Sequence, residues 1–240
     1  MELHVFQDPE AVCRALADWL VNLAADAVRE RGRFSIALSG GSTPKRLYEL
    51  LATEDYRNRV DWQTWHVFWG DERGVPFDDD RNNARMAHEA LFNRVPIPPK
   101  QLHILRTDVN PESAAGDYET LLRNFFAESP VTFDLVLLGL GDDGHTLSLF
   151  PGTEVVEEDV VWVRTVFLEN QQQFRLTLTA PVVNRAACVA FLVTGGGKAG
   201  VVNAVVHGPE GFFPAQRIHP DNGNLHWFLD EAAANDLPKK

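Results

Sequence analysis

Phe133-Asp134-Leu135-Val136-Leu137-Leu138 runs straight into Gly139-Leu140-Gly141-Asp142-Asp143-Gly144-His145-Thr146, and this junction decides the fold class. A short, nearly unbroken apolar run predicts a strand buried on both faces, as in a parallel sheet. The polar, glycine-rich loop after it sits where such sheets present their chemistry, at the carboxyl end of a strand. The same grammar recurs on either side. Phe34 to Leu38 predicts a strand that meets Ser39-Gly40-Gly41-Ser42-Thr43-Pro44 and then a helix through Leu47 and Leu51. Trp65 to Trp69 predicts a strand followed by Gly70-Asp71-Glu72-Arg73, a polar loop and a helix from about Asn82 to Asn93.

Asp8-Pro9 opens a helix that Gly32 stops, with Val12, Leu16, Leu20 and Leu23 on one face. A short strand near Leu102 to Leu105 precedes a helix from about Pro111 to Phe126. Strands are expected at Val160 to Val166, Phe174 to Thr179, Cys188 to Val193 and Leu225 to Leu229, with a helix to about Val206 and a short Ala-rich helix at the end. Alternation of strands and helices predicts one α/β domain over residues 1–240: a mostly parallel sheet with helices on both faces. No linker, repeat or low-complexity segment divides the chain.

The net charge of −12 argues against nucleic-acid binding. No apolar stretch approaches the roughly 20 residues of a membrane helix. The start, Met1 to Pro9, lacks a signal-like core and reads as mature protein. Cys13 and Cys188 both fall in apolar patterns, so two reduced thiols in a cytoplasmic setting are expected rather than a disulfide.

Three loops carry unusual chemistry. Gly40-Gly41-Ser42-Thr43-Pro44 joins strand to helix, so its backbone can approach an anion while the helix start aims N–H groups at it. Its spacing matches neither nucleotide-binding glycine motif. A tight turn with a Ser/Thr cap is the alternative, but the coincidence of strand, glycines, hydroxyls and helix start favours phosphate binding. On charge alone Asp71, Glu72 and Arg73 read as a solvated cluster, but their position at a strand end argues the other way: Arg73 can grip a phosphate through two parallel N–H bonds, with an adjacent carboxylate to orient it. His145 is the one histidine of eight in a Gly/Asp loop at a strand end. Its imidazole can take a proton near neutral pH, and Asp143 can fix the ring tautomer. Lys198 follows three glycines at a helix start, and Arg175 opens an alternating strand; each could serve a ligand or merely face solvent. No His-x-x-x-His or Cys/His cluster argues for a metal.

Taken in order from about Leu38 to Asp230, these stretches resemble the 6-phosphogluconolactonase family, within a wider group that includes glucosamine-6-phosphate deaminase. The residues that carry the resemblance are Leu38 to Pro44, Trp69 to Pro76, Gly139 to Gly152, Arg175 to Pro181, Phe191 to Gly195 with Lys198-Ala199, and Trp227 to Asp230. The resemblance implies a cofactor-free, Rossmann-like domain that hydrolyses 6-phospho-D-glucono-1,5-lactone, the second step of the pentose phosphate pathway; the expected partner is this small phosphorylated lactone, and the expected state a monomer or weak homodimer. Gly40, Gly41, Ser42, Thr43, Arg73 and Lys198 would then hold the phosphate. His145, backed by Asp143, would activate water, and Arg175 would help with phosphate or carbonyl charge.

The related deaminase pattern has a Glu where this chain has Phe150, and Asp-Glu-Tyr where this chain has Asp71-Glu72-Arg73, which favours the lactonase. A sugar-phosphate sensor on the same fold would need an effector module that this chain lacks. Two departures stand out. Glu169 to Phe174 replaces a Lys-Pro-Pro-like stretch, and the acidic loop Phe77 to Arg81 is read as a mobile, outward-facing edge.

Overall fold

In the computed structural model, residues 1–127, 129–221 and 223–238 are described. The chain opens with β1 (Glu2–Phe6), α1 (Pro9–Arg31), β2 (Phe34–Leu38), α2 (Ser42–Leu51) and α3 (Glu54–Arg57). Then come β3 (Trp65–Trp69), β4 (Asp71–Arg73), α4 (Asn83–Ala90), β5 (Leu102–His103), α5 (Pro111–Phe125) and β6 (Leu135–Leu138). The last part holds β7 (Val163–Leu168), β8 (Gln173–Leu178), α6 (Ala180–Val183), β9 (Cys188–Val193), α7 (Ala199–His207) and β10 (Asn224–Asp230).

Local chemistry sets the ends of α1. Asp8 accepts a hydrogen bond from the Ala11 N–H at 2.9 Å and Pro9 fills the first turn. Gly32, at φ +72°, closes the helix in the left-handed region that glycine tolerates.

Seven strands form a parallel sheet in the order β1-β10-β9-β6-β2-β3-β5. Every residue of β2, β6 and β9 is buried, which is why these three were readable as uninterrupted apolar runs. Connections that step one way along the sheet place α1, α2 and α4 on one face, and those that step back place α5 and α7 on the other, because parallel crossovers are right-handed. The direction of winding reverses between β2 and β6. At that switch point the loops after the two strands diverge and leave a crevice at their carboxyl ends.

Three expectations need correction, and one strand went unread in the sequence. The strands expected at 160–166 and 174–179 form as β7 and β8, but they make an antiparallel hairpin outside the parallel sheet. With β4 they build a separate three-stranded sheet in the order β4-β8-β7. The alternation visible in Arg175 to Thr179 belongs to this smaller sheet. Gly70 is the joint between the two sheets: its N–H donates to the Leu38 carbonyl at 2.8 Å, and its own carbonyl accepts from Leu178 at 2.7 Å. Secondly, β1 gives no clear signal in the sequence, since Leu3 and Val5 lie exposed on an edge strand and no apolar alternation points inward. Thirdly, the strand near Leu102 is only two residues long. Lastly, the Ala-rich segment after β10 is a run of turns, with Asp230 accepting the Ala233 N–H at 2.8 Å.

One core of buried side chains runs through the main sheet and its helices, with Phe191 and Trp227 stacked at 4.1 Å. Cys13 and Cys188 are buried and unpaired, as expected. No helix among the described residues is long and apolar enough to cross a membrane.

Candidate active site

A cavity of about 390 Å³ opens at the switch point. Gly40, Gly41, Ser42, Thr43, Arg73, His145, Arg175 and Lys198 all line it. Asp143, the remaining expected residue, sits directly behind His145.

Gly41, at φ +109°, is the N-cap of α2 and no side chain caps the helix, so the Ser/Thr-cap reading of this loop is wrong. The hydroxyl of Thr43 is instead 3.1 Å from that of Thr194, tying the loop after β2 to the loop after β9. The α2 start therefore keeps its unpaired N–H groups, has no acidic residue in its first turn, and borders the cavity. Gly40 is required by close approach: a Cβ there would lie 2.0 Å from the Asn83 amide oxygen.

His145 is held from two sides. Asp143 Oδ1 lies 2.5 Å from its Nδ1 and also accepts the His145 backbone N–H at 3.1 Å. The ring packs on Phe150 with centroids 4.2 Å apart. Gly141 makes this possible, since a Cβ there would sit 2.0 Å from His145 Nδ1. Burial works against the Asp143 charge, but the hydrogen bonds from the His145 ring and backbone hold its carboxyl below the usual range. An ionised Asp143 at Nδ1 favours the tautomer with the proton there, which leaves Nε2 with a free lone pair.

The cations come from elsewhere. Arg73 on β4 and Arg175 on β8 are directly opposed across the small sheet. Arg73 Nη1 donates to the Arg81 carbonyl at 2.7 Å, and Arg175 Nη2 donates to Gln171 Oε1 at 2.6 Å. The Nε atoms of both are buried without a hydrogen-bond partner. Burial, and then the Arg73 charge, lowers the Arg175 guanidinium below its ordinary proton affinity. Two like charges facing each other under partial burial make a place where an anion is strongly favoured. Lys198 closes the ring of cations, with its Nζ 2.5 Å from Asp142 Oδ1.

The expectation that a neighbouring carboxylate orients Arg73 is not met. Glu72 is fully buried and accepts the backbone N–H groups of Arg73, Asn83 and Ala84 at 2.8, 2.8 and 2.9 Å. It fastens the start of α4 to β4. Burial pushes its carboxyl up to about 7, even with those three donors. In the acidic 77–81 loop, Asp79 pairs with Arg81 and the outward-facing Asp80 pairs with Arg85, so these charges are answered locally.

Asp71, Asn83 and Gln171 also line the cavity, and none of them was expected as a site residue from the sequence. Asp71 is buried with its carboxylate 2.7 Å from the Ser148 hydroxyl. Asn83, read only as a helix-start residue, donates to the Asp71 carbonyl at 3.0 Å. Gln171, in the stretch that departs from the family pattern, reaches Arg175. Nothing local in the sequence marks that contact, because it depends on the turn between β7 and β8.

Residues 7–227 match the family model described as glucosamine-6-phosphate isomerases/6-phosphogluconolactonase. A 6-phosphogluconolactonase of Synechocystis is 45% identical over 219 residues, 88% of each chain. One from Nostoc is 40% identical over 98% of each chain. The solved structure of 6-phosphogluconolactonase from Trypanosoma brucei superposes with a TM-score of 0.87 at 30% identity, over 99% of this chain and 98% of that one. With the family model spanning nearly the whole chain and relatives this similar along their full length, the chain belongs to the glucosamine-6-phosphate isomerase/6-phosphogluconolactonase family.

Proposed function

We propose that this chain is a single-domain lactone hydrolase that converts 6-phospho-D-glucono-1,5-lactone to 6-phospho-D-gluconate without a cofactor. The phosphate lies between the α2 start at Gly40 to Thr43 and the cations Arg73 and Lys198. His145 Nε2 takes a proton from water, whose oxygen attacks C1 of the lactone, while Asp143 stabilises the imidazolium that forms. The tetrahedral intermediate collapses by breaking the bond between C1 and the ring oxygen. His145 returns its proton to that oxygen, leaving the open-chain acid. Arg175 stabilises negative charge on the phosphate or at the carbonyl.

The observation that carries this reading is the pair of opposed arginines with unpartnered Nε atoms, lining the same cavity as an imidazole whose Nδ1 is already committed to Asp143. It joins an anion cradle to one free base in one cavity. The deaminase reading is weaker here because its second carboxylate has no counterpart: Phe150 packs on His145 and lies 6.0 Å from the Arg175 guanidinium. Two buried free thiols support a reducing, cytoplasmic setting.

The deciding measurement is lactone hydrolysis coupled to oxidation of the product, corrected for spontaneous ring opening. His145→Ala is expected to lower kcat by about 10²- to 10⁴-fold with little change in KM. Wild-type turnover in that variant removes His145 as the base, and ammonia release from glucosamine 6-phosphate by the wild type replaces this reading with the deaminase.

A further inference from the structure

At the opposite ends of the strands from the cleft, three metal-ligating side chains converge. Strand β1 pairs with β10 in parallel, with Glu2 opposite His226 and His4 opposite Phe228. Side-chain alternation puts Glu2 and His4 on the same face of β1. Glu2 Oε2 is 3.7 Å from both His4 Nε2 and His226 Nδ1, and the two ring nitrogens are 3.1 Å apart. The point in the plane of these three atoms that is equidistant from them lies about 2.0 Å from each, so an ion drawn slightly out of the plane toward a fourth ligand stays within the roughly 2.0–2.2 Å that Zn²⁺ takes to imidazole nitrogen and carboxylate oxygen.

The two rings share one hydrogen bond at 3.1 Å, but the carboxylate does not join it. At 3.7 Å the carboxylate is beyond hydrogen-bond reach of either ring. Packing also holds the rings in place: His4 stacks on Phe228 at 4.6 Å, and Trp19 packs against His226 at 5.0 Å. His226 is buried while Glu2 is exposed, so the triangle has an anchored base and an open side through which an ion can enter and keep a water ligand. Among the described residues, no other group of three or more His, Cys, Asp or Glu side chains brings its ligand atoms this close together. Two imidazoles and one carboxylate form a donor set suited to a borderline divalent ion. The sequence offered no sign of it because His4 and His226 stand 222 positions apart.

We propose that Glu2, His4 and His226 form a Zn²⁺ site, completed by water, that clips the edge strand β1 to β10. It is separate from the catalytic cleft. The cleft end of β10 is marked by Asp230, whose carboxylate accepts the Gly195 N–H at 3.0 Å, and four residues of strand put His226 roughly 13 Å further down.

The test uses the full, untagged chain, stripped with chelator and desalted. Zn²⁺ is titrated by calorimetry, and Co²⁺ by its visible absorption. One equivalent is expected to bind, and Zn²⁺ is expected to raise Tm. Glu2→Gln and His4→Ala should each weaken binding by about 10-fold or more and lose the Co²⁺ band, with lactone turnover unchanged. Both positions are partly exposed, so the test does not depend on replacing the buried His226. His145→Ala should bind as wild type does. The proposal is overturned if wild type takes up no stoichiometric Zn²⁺, if His4→Ala binds as tightly as wild type, or if binding is lost in His145→Ala, which would put the ion in the cleft.

Discussion

The two sheets contribute different kinds of chemistry to one cleft. The parallel sheet delivers backbone: its switch point opens the crevice, the loop after β2 presents the unpaired N–H groups of α2, and the loop after β6 folds His145 back over Gly141. The small antiparallel sheet delivers charge, through Arg73 on β4 facing Arg175 on β8. The parallel part is rigid by burial, with β2, β6 and β9 wholly enclosed. The antiparallel part is held to it through Gly70 and through Glu72 of β4, which accepts the N–H groups of Asn83 and Ala84 at the start of α4. An acidic chain with a net charge of −12 thereby concentrates positive potential in one place without becoming basic overall.

That division can be broken from either side. The largest effect is expected on the parallel side, from Gly141→Ala. A Cβ there overlaps the His145 ring position at 2.0 Å, so the imidazole must move. A displacement of about 1 Å at a catalytic group costs on the order of 10²-fold in rate, so kcat should fall by that much while KM and the circular dichroism spectrum stay near wild type. A wild-type kcat would mean that the ring position is not critical.

On the antiparallel side the loss should appear in binding. Arg73→Ala and Arg175→Ala are each expected to raise KM by about 10-fold or more, the size of a charge-assisted hydrogen bond. Because each arginine raises the cost of the other's charge, the double variant should lose less than the product of the single losses. Strict multiplicativity would show that the two act on separate groups.

The smallest effect concerns the fastening between the sheets and is read as stability. The Glu72 carboxyl, pushed up to about 7 by burial, holds its proton more tightly in the fold than in the unfolded chain. Its contribution to stability is therefore full below about pH 4.5 and is lost as pH rises through about 7. Relative to Glu72→Gln, wild type should lose about 2 kcal/mol between pH 5 and pH 7.5 in urea unfolding. A constant difference between the two proteins across that range would remove Glu72 as the titrating group.

Much of this architecture was legible in the chain because burial writes itself into sequence. Strands enclosed on both faces must be apolar throughout, so β2, β6 and β9 were readable, and with them the loops that follow and His145. The Gly40 and Gly41 pair was readable because only a chain bending close to something else puts two glycines between a buried strand and a helix. Edge and surface elements leave no such record. Strand β1 shows its apolar side chains to solvent, and only the alternation at Arg175 to Thr179 set β8 apart from the parallel strands.

What the sequence determined by itself was the fold class, the glycine-rich loop that carries His145 and Asp143, and the inventory of cations. What only the tertiary structure decided was who faces whom. Arg73 and Arg175 meet through a strand register, Glu72 turns inward to α4 instead of orienting Arg73, Gln171 reaches Arg175 across a turn, and Glu2, His4 and His226 meet from opposite ends of the chain. Local patterns arise from the period of a single helix or strand, whereas a pairing register is fixed by the packing of elements far apart in sequence and has no local signature.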